Sequence, residues 1–315
     1  MPTPTVVPDP GFSAEEEAKA LRSAMKGLGT DEKAIVVSVA RMANAQRQEV
    51  IVIYKTMYGR DLISDLKSEL GGDFEDTVLA LFMKPADFDA TCLHKAMKGL
   101  GTKDKVLCEI MASRTNEQIQ AIKVSYKKLF KNELEKDIIG DTSGDYKRIL
   151  ISLCQGARSE DPHVDQAKAA AEAQKLHSAG EKQFGTDEAV FNSIIALRSY
   201  PQLQATFHEY KKLTGHDFIK AIQKEFSGNV EDGLSSVVMV AQDTPLYFAQ
   251  LLHKSMKGAG TDEDRLIRVV VSRSEIDLGD VKEAFNRTYG KPLSRWIRDD
   301  CGGDFRRMLL AITKD

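Results

Sequence analysis

Apolar residues in this chain recur at helical spacing, and the helical runs are broken by regularly placed stops. Ser13-Ala-Glu-Glu-Glu opens a first helix with a capping serine and acids in the first turn, and Gly27 ends it. Thr30 is expected to cap a second helix, with Asp31 and Glu32 set well against its dipole. Ile35, Val36, Val39 and Met42 give that helix its apolar face. A third runs from Gln46 to Tyr58 and stops at Gly59. A fourth runs from Asp61 to Leu70 and stops at Gly71-Gly72, and a fifth from Asp73 to Met83 closes near Pro85. The same order returns from about residues 86, 158 and 242, and strand signals are nearly absent. The pattern predicts an all-α fold of four five-helix repeats: 13–85, 86–157, 158–241 and 242–315. The period exceeds that of ordinary solenoids, so each unit is expected to be a compact bundle.

Two segments fall outside the helical pattern. Residues 1–12 hold four prolines (Pro2, Pro4, Pro8, Pro10), which reads as an extended tail with no amphipathic pattern for docking a partner helix. The third repeat begins with a linker, Ser159-Glu-Asp-Pro-His-Val-Asp165, which suggests two halves joined there.

One loop recurs. Met25-Lys-Gly-Leu-Gly-Thr-Asp-Glu32 returns as Met97-Lys-Gly-Leu-Gly-Thr-Lys-Asp104 and Met256-Lys-Gly-Ala-Gly-Thr-Asp-Glu263, with the variant Gly180-Glu-Lys-Gln-Phe-Gly-Thr-Asp-Glu188 between them. Alone, such a stretch need only stop one helix, turn and cap the next. Its last glycines, Gly29, Gly101, Gly185 and Gly260, change that reading. Forty residues after each stands a carboxylate: Glu69, Asp141, Glu225 and Asp300. Forty-three after each stands a glycine: Gly72, Gly144, Gly228 and Gly303.

A hard cation accounts for this pairing. Calcium takes about six to eight oxygens from backbone carbonyls, carboxylates and water. Carbonyls of Met25, Gly27 and Gly29 with both oxygens of Glu69 supply five, leaving room for water or an outside oxygen. One formal charge per site implies weak affinity, toward about 10⁻⁴ M. Open positions invite a second acidic ligand such as phosphate, and four sites on one face would act by multivalency. Lys26, Lys98 and Lys257 would add about 1 kcal/mol each near an anionic leaflet; ordinary solvation explains them nearly as well. Leu28, Leu100, Phe184 and Ala259 sit at the loop tips, where they either pack on the turn or dip into an apolar interface, insertion being the preferred reading for Phe184.

Composition narrows the partners. A net charge of −3 and the lack of a long basic block argue against nucleic acid. Cys92, Cys108, Cys154 and Cys301 lack CxxC spacing, and with no signal peptide they read as reduced thiols of a cytoplasmic protein. No apolar run approaches the roughly 18 residues a membrane span needs. No catalytic motif is complete, and the histidines lack metal-ligand spacing.

With its four loops, the acid forty residues on and the five-helix units, the chain resembles the annexins over nearly its whole length after the tail. The resemblance implies a compact, slightly curved array, no enzymatic activity, and calcium-dependent, reversible binding to acidic, phosphatidylserine-like phospholipid membranes. It implies a cytoplasmic, peripheral protein, with side-by-side homo-oligomers, trimers or hexamers, on the membrane. Carried over by position, the ligands are Met25, Gly27, Gly29 and Glu69; Met97, Gly99, Gly101 and Asp141; and Met256, Gly258, Gly260 and Asp300. The third unit has one extra residue, and its expected set is Gly180, Gln183, Gly185 and Glu225. Thr30 and Glu32 are candidates for a secondary calcium site.

Thirteen residues after the marker glycine stand Arg114, Arg198 and Arg273, but Met42 in the first unit, with Arg41 displaced by one. Such buried arginines are expected to satisfy helix-end carbonyls, and unit one to solve that problem differently. Eight residues after the marker, only Glu109 and Arg268 carry charge. They read either as an internal ion pair that fixes docking or, as an alternative function, as the lining of a polar passage with ion-channel activity.

Overall fold

The computed structural model describes residues 1–27, 29–181 and 185–314. They form helices in four runs of five, with no strand among the described residues. The first run is α1 (Ala14–Ala24), α2 (Glu32–Arg41), α3 (Asn44–Tyr58), α4 (Leu62–Glu69) and α5 (Gly72–Phe82). The second is α6 (Pro85–Met97), α7 (Asp104–Ser113), α8 (Asn116–Phe130), α9 (Leu134–Asp141) and α10 (Gly144–Cys154). The third is α11 (Gln166–Ala179), α12 (Glu188–Ile195), α13 (Tyr200–Thr214), α14 (Phe218–Glu225) and α15 (Gly228–Gln242). The fourth is α16 (Thr244–Met256), α17 (Glu263–Arg273), α18 (Leu278–Tyr289), α19 (Leu293–Asp300) and α20 (Gly303–Thr313).

The ends follow local chemistry. Ser13 accepts from the Glu16 amide and Asp61 from the Ser64 amide, each relieving an orphan donor of its helix. Gly59 closes α3 with a left-handed residue. Leu21, Ile35, Val39, Val50, Leu62, Leu66 and Val78 are fully buried in the first run, as their spacing requires.

Two compact units emerge, and they do not divide at the expected linker. One joins residues 1–88 with 248–315, so the first run packs with the last; the other spans residues 89–247. In the first unit α2 packs on α20 and α5 on α17; in the second α7 packs on α15 and α10 on α12. The Ser159–Asp165 linker lies inside the second unit and is tied down. The Ser159 amide donates to Leu197 O at 2.8 Å, and Asp165 exchanges two backbone bonds with the Gln202 side chain at 2.9 and 3.0 Å. The N-terminal tail is likewise docked, through backbone hydrogen bonds that need no amphipathic pattern.

The arginine expectation is corrected. Arg114 forms a bidentate pair with Asp89 at 2.6 and 2.7 Å, Arg198 binds Glu172 at 2.6 Å, and in the first unit Arg41 pairs with Glu17. It is the fourth repeat that differs. Phe248 stands 25 residues before Arg273, as Asp89 stands before Arg114, so Arg273 turns to Asp277 and stacks on the Phe248 ring. The carbonyls go instead to Arg47, which reaches Val39 O and Leu81 O, and to Arg158, which reaches Ile195 O and Arg198 O. Burial lowers the Arg47 pKa to about 10, against the opposing pull of Glu275.

Candidate cation-binding loops

Each recurring loop is closed by one backbone bond across its base. The Asp31 amide donates to Ala24 O at 2.9 Å, Lys103 to Ala96 O at 2.8 Å, and Asp262 to Ser255 O at 2.8 Å. In the third loop the Asp187 amide reaches Ala179 O at 2.8 Å across one more residue. Met25, Met97 and Met256 bury their side chains, which anchors the loop to the bundle while the glycines and lysines after them stay exposed.

Two glycines in the first, second and fourth loops, and one in the third, have conformations that a side chain resists. Gly27, Gly99 and Gly258 have φ of 124°, 112° and 122°; Gly29, Gly101, Gly185 and Gly260 lie between 81° and 90°. Such turns aim successive carbonyls to different sides, which a cation site built on backbone oxygen needs.

The carboxylates arrive by a bond that the sequence reading missed. Thr30, expected to cap α2, donates its hydroxyl to Glu69 at 2.8 Å, and the cap is Asp31, accepting from the Ala34 amide at 3.0 Å. The same bond recurs as Thr102 to Asp141 at 2.5 Å, Thr186 to Glu225 at 3.0 Å and Thr261 to Asp300 at 2.6 Å. A threonine one residue after each marker glycine and 39 before each acid was the available signal. Every one of these acids is the last residue of its run's fourth helix. The C-terminal ends of the first and fourth helices therefore converge on each loop, and their partial negative charge favours a cation.

Among the described residues no three His, Cys, Asp or Glu side chains gather to hold a metal. A cation here would rest mainly on carbonyls plus one carboxylate, the donor set that suits calcium rather than zinc. Those residues fit it. Glu32 and Glu69 also line a cleft of about 300 Å³ with Asp73 and Asp304. Burial, then Glu263 and Asp76, raise the Asp73 carboxyl above its ordinary range.

The third loop is the odd one. Gly180 caps α11 as Met25 caps α1, and it is buried where an added Cβ would meet Glu225 and Phe191, each at 3.2 Å. Its neighbour Glu181 accepts from Tyr210 OH at 2.8 Å, faces His216 Nε2 at 3.2 Å and binds Lys224 at 3.1 Å. Gln183, expected as a ligand, and the tips Leu28 and Phe184 lie outside the described residues. Leu100 is fully exposed, and Lys26, Lys98 and Lys257 are exposed beside their glycines. Glu109 is buried on α7 in one unit and Arg268 on α17 in the other. No helix among the described residues is long and apolar enough to cross a membrane.

Comparison with known proteins agrees with this four-repeat helical fold. The annexin family profile matches residues 16–81, 88–153, 171–237 and 247–312. Human annexin A7 is 49% identical over 308 residues, 98% of this chain and 63% of its own, so the chain spans less than two thirds of that relative. The solved structure of annexin III superposes with a TM-score of 0.97 at 42% identity, over 99% of this chain and 97% of that one. A calcium-bound annexin (Sm)1 matches with a TM-score of 0.89 at 35% identity, over 100% of this chain and 93% of that one. With four matched repeats that carry the recurring loops, the chain belongs to the annexin family, whose members generally bind phospholipid in a calcium-dependent way without enzymatic activity.

Proposed function

We propose that this chain binds anionic phospholipid membranes reversibly by calcium bridging at its glycine-rich loops. The observation that carries the reading is the threonine-held carboxylate, which is repeated at all four loops. When bound, the calcium ion supplies positive charge and open coordination positions for lipid phosphate. The chain's own residues hold the site. Carbonyls of Met25, Gly27 and Gly29 would hold the ion with Glu69, and the sets at Met97, Gly99, Gly101 and Asp141 and at Met256, Gly258, Gly260 and Asp300 would do the same. Gly180, Gln183, Gly185 and Glu225 form the third set, and Glu32 with the Thr30 carbonyl a secondary one. Lys26, Lys98 and Lys257 lie beside the lipid charge, and Leu28, Leu100 and Phe184 meet the interface. Kinship supports a cytoplasmic, peripheral protein that assembles side by side on the membrane as trimers or hexamers.

Sedimentation with phosphatidylserine vesicles in calcium, and release by a chelator, tests this. Replacing Glu69, Asp141, Glu225 and Asp300 together by alanine is expected to abolish binding at calcium levels that saturate the parent chain. Unchanged sedimentation would sink the bridging mechanism.

A further inference from the structure

The third repeat departs from the others beneath its loop as well as in it. Six residues after the marker glycine the other repeats bury Ile35, Leu107 or Leu266, whereas the third buries the larger Phe191. Phe191 stacks on Phe218 with ring centroids 6.0 Å apart and meets Phe226 edge-on at 5.0 Å. Phe218 opens α14, and Phe226 caps its far end directly after Glu225. The corresponding pairs elsewhere are Leu62 and Leu70, Leu134 and Thr142, and Leu293 and Cys301, so the ring trio is peculiar to the third repeat. One ring on α12 thus braces both ends of the helix that delivers the carboxylate.

The same ring reaches the loop. Met25, Met97 and Met256 anchor their loops with buried side chains, but Gly180 stands in that place with none. A Cβ on Gly180 would lie 3.2 Å from Phe191 Cζ and 3.2 Å from Glu225 Cγ, so ring, acid stem and bare backbone close on one point. From the loop's far side Thr186 binds the Glu225 carboxylate at 3.0 Å. The exchange is one of volume in a close-packed interior: a methionine is lost from the loop and a ring is gained beneath it.

We infer, on the calcium reading of these loops, that Phe191 is a positioning residue of the third site and sets the gap between the loop and Glu225. Phe191 has no oxygen to give an ion. It acts through Gly180 and α14, as the outer partners of a metal site orient its ligands. With leucine in its place α14 loses the brace at both ends, and Glu225 moves away from the loop. The second and fourth repeats hold leucine at this position, so the fold accommodates the change.

The test is a calcium titration of the full chain without lipid, followed by amide exchange. Asp187 reports the third loop, and Asp31, Lys103 and Asp262 report the others. Phe191→Leu is expected to raise the calcium midpoint at Asp187 roughly 10- to 100-fold, the usual loss for an outer partner of a metal site, and to leave the other three unchanged. Gly180→Ala should raise it as well, by pressing on the ring and on Glu225, but by less in the Phe191→Leu chain, where the ring edge is gone. Any backbone cost of a side chain at 180 is common to both backgrounds and cancels in that comparison. A third-loop midpoint unmoved by Phe191→Leu, or equal effects of Gly180→Ala in both backgrounds, would overturn the positioning role. Absence of calcium-dependent protection at every loop of the parent would instead defeat the calcium reading, and this inference with it.

Discussion

The loops after α1 and α11 turn the chain between equivalent helices, yet they are secured by different means. In the first repeat Tyr54 donates to Asp65 at 2.7 Å, and Arg60 adds two bonds to the same carboxylate at 2.8 and 2.6 Å. That lock joins α3 to α4 and leaves the loop to its glycines. The second repeat is built alike, with Tyr126 on Asp137 at 2.5 Å. In the third repeat Ala221 occupies the Asp65 register, 36 residues after the marker glycine, and the acid has moved into the loop as Glu181. Tyr210, His216 and Lys224 now hold the loop itself. One extra residue has merged the lock between helices with the loop that is to hold an ion, so the third loop cannot change shape without releasing the third and fourth helices of its repeat.

The largest effect that separates the two designs is expected at the glycines. Gly27→Ala or Gly258→Ala forces a side chain into φ near 120°, a strain of about 1–3 kcal/mol. The calcium needed for vesicle binding through that loop should rise roughly 5- to 150-fold, by that same range. Gln183→Ala, two residues before its marker glycine as Gly27 is before Gly29, should cost little because a side chain already stands there. Equal penalties at both places would erase the distinction between the loops.

A smaller effect separates the locks. Glu181→Ala strands a tyrosine hydroxyl and two cationic or imidazole partners, a cost of about 1–3 kcal/mol. Amide exchange at Asp187, whose N–H closes the third loop, should accelerate with it. Asp65→Ala should destabilise the first unit to a similar degree, yet leave the Asp31 amide protected in its bond to Ala24 O. If both variants loosen their loops alike, the locks are not separate in the first repeat.

Period and stops were enough to read twenty helices in four runs, because each helix needs an apolar stripe and an end signal that lie close in sequence. The carboxylate at forty residues was legible for a different reason: four copies made a long-range spacing visible. Thr30 was misread because threonine before an acidic first turn is a sound cap signal, and nothing local tells it that Glu69 waits across the gap. The docking of the tail was unreadable since backbone donors to Ser274 and Gln46 leave no mark on side-chain pattern. The arginines pair with acids 24 to 26 residues upstream, except Arg273, whose acid lies four downstream. No single offset could have revealed that.

The smallest and most discriminating effect is in acid. Burial tends to raise the Glu181 carboxyl, but hydrogen bonds from Tyr210 and Lys224 and the nearby His216 outweigh it, and its pKa falls below the ordinary value. Asp65 is lowered too, chiefly by the Arg60 bond, with burial opposing and Tyr54 assisting. A depressed carboxyl lends stability that is full above the ordinary carboxylate range and is lost as pH falls through the folded-state value. Both locks therefore weaken on acidification. Asp73 runs the other way. Raised by burial and then by Glu263, it favours folding below the ordinary range and ceases to do so as pH rises through its folded value. Acid should thus strip the third loop of its Glu181 lock while relieving repulsion near Glu263 in the first unit. Exchange followed from pH 7 into the carboxylate range, corrected for intrinsic rates, should show Asp187 losing protection before Asp31. In Glu181→Gln the carboxyl that titrates is gone, so Asp187 should start less protected and lose its pH step. A step that survives in that variant would place the titrating group elsewhere and leave the two loops alike in acid.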